Sequence, residues 1–256
     1  MILAVINEKG GSTKTTTTVN TAAALAAEGK RVRIIDADPQ AGSATYWLPP
    51  KDNVGEGLVD VFRDKSTIDD VTSRTAVDNL YIVPSWTTLR EVERTREPGS
   101  ELVLRSALAT SEAPIDVDII DSPHTLDVLA VAAVAAAEGL IVPVQASGLD
   151  VVGMEELLEM VKTVRRRINP DLRISAIVVG RAKAIGPGRY TAFDQQLIDS
   201  FRAQYPDSLV APIADSVRMR EATEAHIPIN LYEPNGRCAG DFASLASGLI
   251  QREEAV

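Results

Sequence analysis

Short runs of apolar, β-branched residues alternate along the chain with longer stretches whose apolar positions recur at helical spacing. The runs Ile2–Ile6, Val32–Asp36, Leu80–Pro84, Val117–Asp121, Leu140–Val144 and Ile174–Val179 predict strands, with a short further strand near Leu209–Val210. Most are apolar at every position rather than at alternate ones, the pattern of strands covered on both faces. Helices are expected over Thr16–Ala27, Thr88–Arg96, Glu101–Ala109, Leu126–Ala137, Val152–Ile168, Thr191–Gln204 and Gly240–Arg252. Val152, Leu157, Leu158, Val161, Val164 and Ile168 make one helical stripe, which Asn169–Pro170 ends. Strand and helix in alternation predict an α/β fold with a parallel sheet, built as one domain over residues 1–256. Segment 42–79 is polar and broken by Pro49–Pro50 and Gly55–Gly57, so it reads as surface structure.

Composition narrows this picture. A chain of 256 residues can bury a substantial core, and with aromatics at only 4% that core must be Ala, Val, Ile and Leu. The longest apolar run, Val128–Ala137, is too short to span a bilayer and reads as a buried helix. Ile2–Ile6 runs directly into Asn7–Glu8–Lys9 with no basic stretch ahead of it, so no secretory leader is expected. Cys238 is the single cysteine, which excludes an intrachain disulfide framework and a Cys-rich metal site and fits a reducing compartment. The net charge of −10 argues globally against a nucleic-acid partner, but its distribution does not. Residues 162–189 carry Lys162, Arg165, Arg166, Arg167, Arg173, Arg181, Lys183 and Arg189 against Asp171 alone, a local +7 that leaves −17 for the remainder.

The chemistry concentrates behind the first strand, in Glu8-Lys9-Gly10-Gly11-Ser12-Thr13-Lys14-Thr15-Thr16 ahead of an Ala-rich helix. A Gly-rich turn from strand to helix presents backbone N–H groups to an anion, and the helix N-terminus adds partial positive charge. In such a loop Lys14 reaches the β- and γ-phosphates of a nucleotide and the Thr15 hydroxyl ligates Mg²⁺.

Lys9-Gly10-Gly11-x-x-Lys14-Thr15 resembles the deviant Walker A motif of the ParA/MinD ATPases, with its second lysine at the start of the loop. Ile34-Ile35-Asp36-Ala37-Asp38-Pro39-Gln40 is similar to that family's switch I, and Ile119-Ile120-Asp121-Ser122-Pro123 to its Walker B segment. Ser216–Ala222 followed by Ile227-Pro228-Ile229 resembles its closing block, so the likeness runs from residue 1 to about 235. The resemblance implies a doubly wound, mostly parallel sheet with helices on both faces, and ATP and Mg²⁺ as cofactors. It also implies site roles. Lys9, Gly10, Gly11, Ser12, Thr13, Lys14, Thr15 and Thr16 hold the phosphates, with Arg181 and Pro212 beside the nucleotide. Thr15, Asp36 and Asp121 serve the metal, Asp38 orients the attacking water, and Lys9 crosses a sandwich dimer to the partner's phosphates. Two positions depart from the pattern. Thr13 stands where the family has Gly before the loop lysine, and a side chain there is expected to crowd the β-phosphate or oppose the backbone geometry glycine permits. His124 follows Pro123 where a second Pro is common, and is expected to be a partly buried structural histidine.

Arg189, just before a helix, and Arg218, in the closing block, resemble places where ParA proteins contact DNA; such contacts would be sequence-independent and salt-sensitive. Arg165-Arg166-Arg167 reads equally as a solvated helix end or as part of the DNA surface. The acidic end Leu249–Val256 lacks the basic amphipathic helix of a membrane-bound MinD, a single cysteine cannot supply an interfacial iron–sulfur cluster, and no Tyr-rich tail marks a kinase. The resemblance therefore implies a short ParA-type partition ATPase, a cytoplasmic, nucleoid-associated homodimer that binds DNA and a ParB-type centromere-binding protein. The alternatives are nucleoid-based positioning of another cargo and a nucleotide-dependent scaffold in which Thr13 has largely silenced turnover.

Overall fold

The computed structural model describes residues 1–8, 11, 13–40, 43–52, 55–145, 150–186 and 188–254, with 150–153 described by backbone alone. Its strands are β1 (Ile2–Val5), β2 (Val32–Asp36), β3 (Ser73–Arg74), β4 (Leu80–Val83), β5 (Val117–Asp121), β6 (Gly139–Gln145), β7 (Arg173–Ala182), β8 (Ala184–Gly186), β9 (Arg189–Tyr190) and β10 (Leu209–Ala214). Eight of them form one sheet in the order β10-β7-β6-β1-β5-β2-β4-β3, parallel throughout except for β3 against β4. β8 and β9 form a separate antiparallel hairpin.

The helices are α1 (Lys14–Ala27), α2 (Ala44–Trp47), α3 (Leu58–Phe62), α4 (Arg90–Thr95), α5 (Ser100–Ala109), α6 (Val128–Ala136), α7 (Asp150–Arg167), α8 (Ala192–Gln204), α9 (Val217–Glu224), α10 (Ile229–Tyr232) and α11 (Arg237–Glu254). They divide between the two faces of the sheet, as β1 makes plain: Leu3 and Val5 enter the core with α1 and α11, while Ala4 and Ile6 enter the other core with α5, α6 and α7. This covering of both faces explains why most of the strands are apolar at every position. The scarcity of aromatics is met by small residues. Ala130, Ala132, Ala133, Ala135 and Ala136 let α6 lie close on the sheet, and Ala22–Ala26 do the same for α1.

α1 opens with Thr15-Thr16-Thr17-Thr18, four poor helix formers, so propensity does not hold it. Burial does: Thr17, Thr18, Thr21 and Val19 are enclosed between the sheet and α11. The connection β1–α1–β2 passes β5, whereas β5–α6–β6 crosses back over β1. Strand order thus reverses around β1, and a crevice opens at the C-terminal ends of β1, β5 and β6.

Several expectations need correction. Segment 42–79 is not mere surface, because it feeds both cores beside the sheet edge. Trp47 and Leu48 pack with α1, and Leu58, Val59, Val61, Ile68 and Val71 pack on the opposite face, all 4% exposed or less. The strand expected at Leu209–Val210 continues to Ala214, and the helix expected from Gly240 starts at Arg237. α9, α10 and the β8–β9 hairpin have no counterpart among the expected elements.

Candidate functional site

β1 leads through buried Ile6 and Asn7 into the Gly-rich loop, of which Lys9, Gly10 and Ser12 lie outside the described residues. Gly11 and Thr13 both have positive φ, 76° and 67°. For glycine this is free; for β-branched Thr13 it is strained, as expected from its standing where glycine would be at ease. α1 starts at the next residue. Lys14 is 7% exposed and its ammonium donates to the Asn7 carbonyl at 2.9 Å. Burial pulls its pKa down, against the opposing charges of Asp121 and Asp38.

Strand register brings the two acids together. Val5 of β1, Asp121 of β5 and Asp36 of β2 stand in one row across the C-terminal ends of adjacent strands. Asp121 accepts from the Thr15 hydroxyl at 2.9 Å and from Thr18 at 2.8 Å, which ties the strand end to the first turns of α1. Asp36 accepts from Ser43 Oγ at 2.6 Å, from the Thr45 amide at 2.7 Å, from the Thr45 hydroxyl and from the Asp38 amide at 3.1 Å. Both carboxyls are fully buried, and burial raises the proton affinity of each; the charge of Asp36 adds to the effect at Asp121. Asp38 is also raised by burial, opposed by the Gln40 amide, which donates to it at 2.9 Å, and by His124, Lys14 and Arg90. Arg90 in turn donates to the Gln40 side chain at 3.0 Å.

Beside the loop, a cavity of about 220 Å³ opens between α1, the ends of β7 and β10, and α9. Thr13, Thr16, Thr17, Gly180, Arg181 and Met219 are among its walls. Arg181 pairs with Asp215 at 3.4 Å at its edge. Pro212 is not brought to this cavity; its β10 neighbours Ile213 and Ala214 are. The structure therefore gathers Lys14, Thr15, Asp36, Asp38 and Asp121 around one point, with Thr13, Thr16 and Arg181 on the adjoining wall.

His124 is exposed rather than partly buried, which corrects the structural role expected of it, and its charge bears on Asp38. Sequence reasoning missed Asn7, Thr18, Ser43 and Thr45, the residues that hold the motif side chains. A hydroxyl one turn into α1 and two more behind Asp36 were visible signals, but many exposed hydroxyls look the same in sequence.

Arg189 is exposed on β9, and Arg165, Arg166 and Arg167 are exposed in the last turn of α7. None of these four has a carboxylate partner among the described residues. Arg218 is engaged locally, with Glu221 at 2.7 Å and Glu233 at 3.7 Å. The positive segment 162–189 is partly neutralised from elsewhere in the chain, Arg173 by Glu253 and Arg181 by Asp215.

A family model described as an AAA domain matches residues 1–174. The chain is 33% identical to sporulation initiation inhibitor protein Soj of Bacillus subtilis over 249 residues, covering 96% of each. It is also 33% identical to chromosome partitioning protein ParA of Caulobacter vibrioides over 259 residues, covering 98% of this chain and 94% of the relative. Among solved structures, apo McdA of Cyanothece superposes with a TM-score of 0.85 at 22% identity and 98% coverage of both chains, a likeness of fold. On the strength of full-length relatedness to Soj and ParA, and of the loop that opens α1, the chain is a P-loop ATPase of the ParA/MinD/Soj family, deviant Walker A type.

Proposed function

We propose that residues 1–256 act as one ATPase domain that binds MgATP at the crevice above β1, dimerises face to face in that state, and then holds DNA. With a centromere-binding protein of ParB type it would partition a plasmid or chromosome, as a cytoplasmic protein associated with the nucleoid. The observation that carries the reading is the juxtaposition in which the Thr15 hydroxyl donates to Asp121, and Asp36 stands in register beside Asp121, next to Lys14.

The donor set fits Mg²⁺. Thr15, Asp36 and Asp121 offer hard oxygens only, and no group of three or more His, Cys, Asp or Glu among the described residues could cage a metal. A small cation held there would keep several waters and take phosphate oxygens as further ligands. Bound, it supplies charge compensation to the β- and γ-phosphates. Lys14 lies at the start of α1, where its ammonium can leave the Asn7 carbonyl for those phosphates. Asp38, with its raised proton affinity and fixed by the Gln40 amide, is suited to accept from and orient an attacking water in line with the γ-phosphorus. The cavity beside Thr16 and Arg181 receives the rest of the nucleotide. Lys9 reaches the partner's phosphates across the dimer, and the exposed cations Arg189 and Arg165–Arg167, doubled by dimerisation, meet the DNA backbone. No helix among the described residues is long and apolar enough to cross a membrane.

The test is a DNA-binding titration at two salt concentrations, with ADP and with a slowly hydrolysed ATP analogue, on wild type and Lys9→Ala. Binding is expected only with the analogue, falling steeply with salt, and Lys9→Ala should lose dimerisation and DNA together. A protein that dimerises with the analogue yet ignores DNA at low salt would leave the second reading, positioning of another cargo or a scaffold of little turnover. The strained backbone at Thr13 is the observation that favours slow turnover.

A further inference from the structure

Thr13 occupies the left-handed region at φ 67°, ψ 22°, and its hydroxyl does not cap α1. Its side chain instead points to the end of β7. A Cβ built on Gly180 would stand 3.0 Å from Thr13 Oγ1 and 3.8 Å from its Cγ2, with the Val144 carbonyl at 3.6 Å. Gly180 is buried within a strand and is not among the glycines of positive φ, so its backbone conformation does not call for glycine. What calls for glycine is the space Thr13 takes. The loop is braced at a second point by the neighbouring strand: Gln145, in register with Gly180, donates its side-chain amide to the Gly11 carbonyl. Thr13 and Gly180 also line the same cavity, together with Thr16, Thr17 and Arg181.

We propose that Thr13 and Gly180 are a matched pair, in which the Thr13 side chain seats in the gap left by Gly180 and fixes where the phosphate loop stands against the nucleotide cavity. Thr13 is thus a positioning residue, and the loop is set by side-chain packing at the point where glycine would leave it to its own backbone preference. A methyl group at position 180 must push the side chain of Thr13, which immediately precedes Lys14, because the 3.0 Å approach is tighter than ordinary van der Waals contact. Removing the Thr13 side chain makes the same methyl group harmless. The inference rests on the nucleotide reading above, since position is expressed as affinity for MgADP.

A double-mutant cycle tests it: wild type, Thr13→Gly, Gly180→Ala and the double variant, with MgADP affinity by calorimetry, ATPase kinetics, and thermal melting without nucleotide. Gly180→Ala is expected to weaken MgADP binding by about tenfold or more when Thr13 is present and by less than about threefold when it is combined with Thr13→Gly. In steady state it should raise KM for ATP more than it alters kcat, a split that a general loss of folded protein would not produce. Thr13→Ser, which keeps Oγ1, should leave Gly180→Ala costly. Equal loss with and without the Thr13 side chain overturns the proposal, because Gly180 would then serve something other than Thr13; so does no loss when Thr13 is present. If no variant, wild type included, binds MgADP, the nucleotide reading fails, and melting still decides the pairing. Gly180→Ala must then lower the melting temperature of the chain that carries Thr13 and spare that of the Thr13→Gly variant.

Discussion

Replacing Arg33 by Met withdraws a guanidinium that is 1% exposed and holds two carboxylates, Asp118 at 2.7 Å and Asp69 at 2.8 Å. Thr72 and Ser111 complete its partners, both at 3.2 Å. Arg33 thus ties β2 to β5, to the segment before β3 and to the turn after α5, three residues upstream of Asp36 in the site. Met fills most of the aliphatic volume, so the loss is chiefly electrostatic. Removing one partner of a buried ion pair costs about 3–5 kcal/mol, because the other charge is left enclosed and unpaired. That is a large part of a domain stability of about 5–15 kcal/mol. At about 2–4 °C per kcal/mol for a chain of this size, the melting temperature should fall by roughly 10 °C.

The pH dependence makes the argument specific. Burial already holds Asp118 above the usual carboxylate range despite Arg33. Asp69 is more exposed; burial pushes it up, but Ser111, the Glu112 amide and Arg33 together outweigh that and hold it below. In the variant both pKa values move upward. A carboxyl whose folded pKa lies above its unfolded value near 4 destabilises increasingly as pH climbs from the unfolded pKa through the folded one, and Asp69 loses the stability it contributes above its unfolded pKa. The deficit of Arg33→Met should therefore be larger at pH 8 than at pH 5, measured by urea unfolding at each pH with an unchanged m-value. Adding Asp118→Leu should recover much of it. A deficit under about 1 kcal/mol, or one that does not change between pH 5 and pH 8, would mean that Arg33 does not hold Asp118 and Asp69 as a buried ion-pair network.

Lys14→Ala should abolish nucleotide binding in calorimetry, because it removes the charge that would face the phosphates, while Asp38→Ala should keep ATP bound and slow its hydrolysis. Equal ATP affinity in wild type and Lys14→Ala would overturn the site assignment. Arg189→Glu should weaken DNA binding more than Arg218→Glu, since Arg218 already serves Glu221 and Glu233; for every phosphate no longer neutralised, the salt slope should drop by about 0.9. An equal effect of the two would mean that Arg218 leaves its carboxylates for DNA. Cys238 is buried and its thiol is pushed up to about 11 by burial, so its thiolate fraction at pH 8 is about a thousandth. Ellman's reagent should label it only as the protein unfolds, and full labelling of the native protein within minutes at pH 8 would contradict its placement.

What is legible in the sequence is what depends on local pattern. β2 and β5 match the expected strands to the residue because each is a short β-branched stretch, broken by one charged residue at its second position and ending in Asp, and the motif spacing then places Asp36 and Asp121 with Lys14 and Thr15. What is hidden depends on partners far along the chain. Trp47–Leu48 and Leu58–Phe62 are too short to show a period, so their burial on opposite faces of the sheet leaves no trace. Arg33 looks like an ordinary polar residue within a strand until Asp69 and Asp118 are brought to it. The positive stretch 162–189 is legible as charge but not as free charge, because Glu253 and Asp215 lie outside any window that would pair them with it.

The same distinction explains how the site is built. The motif supplies three acids, Asp36, Asp38 and Asp121, and burial raises the proton affinity of every one of them. Carboxylates brought so close are costly to a fold unless something holds them, and here each has its own support. Ser43 and Thr45 hold Asp36, Thr15 and Thr18 hold Asp121, and the Gln40 amide holds Asp38. These supports are neutral donors: they orient the oxygens without cancelling their charge. A site held in that way keeps a demand for positive charge in reserve, which Asp36 and Asp121 would satisfy on the proposed reading by holding a divalent cation with the nucleotide. Thr15 links the two halves, since its hydroxyl touches Asp121 and its amide belongs to the first turn of α1, where the phosphates would lie. The strained Thr13 and the gap at Gly180 sit on the other side of Lys14, so the loop is positioned by packing on one flank and by acids on the other.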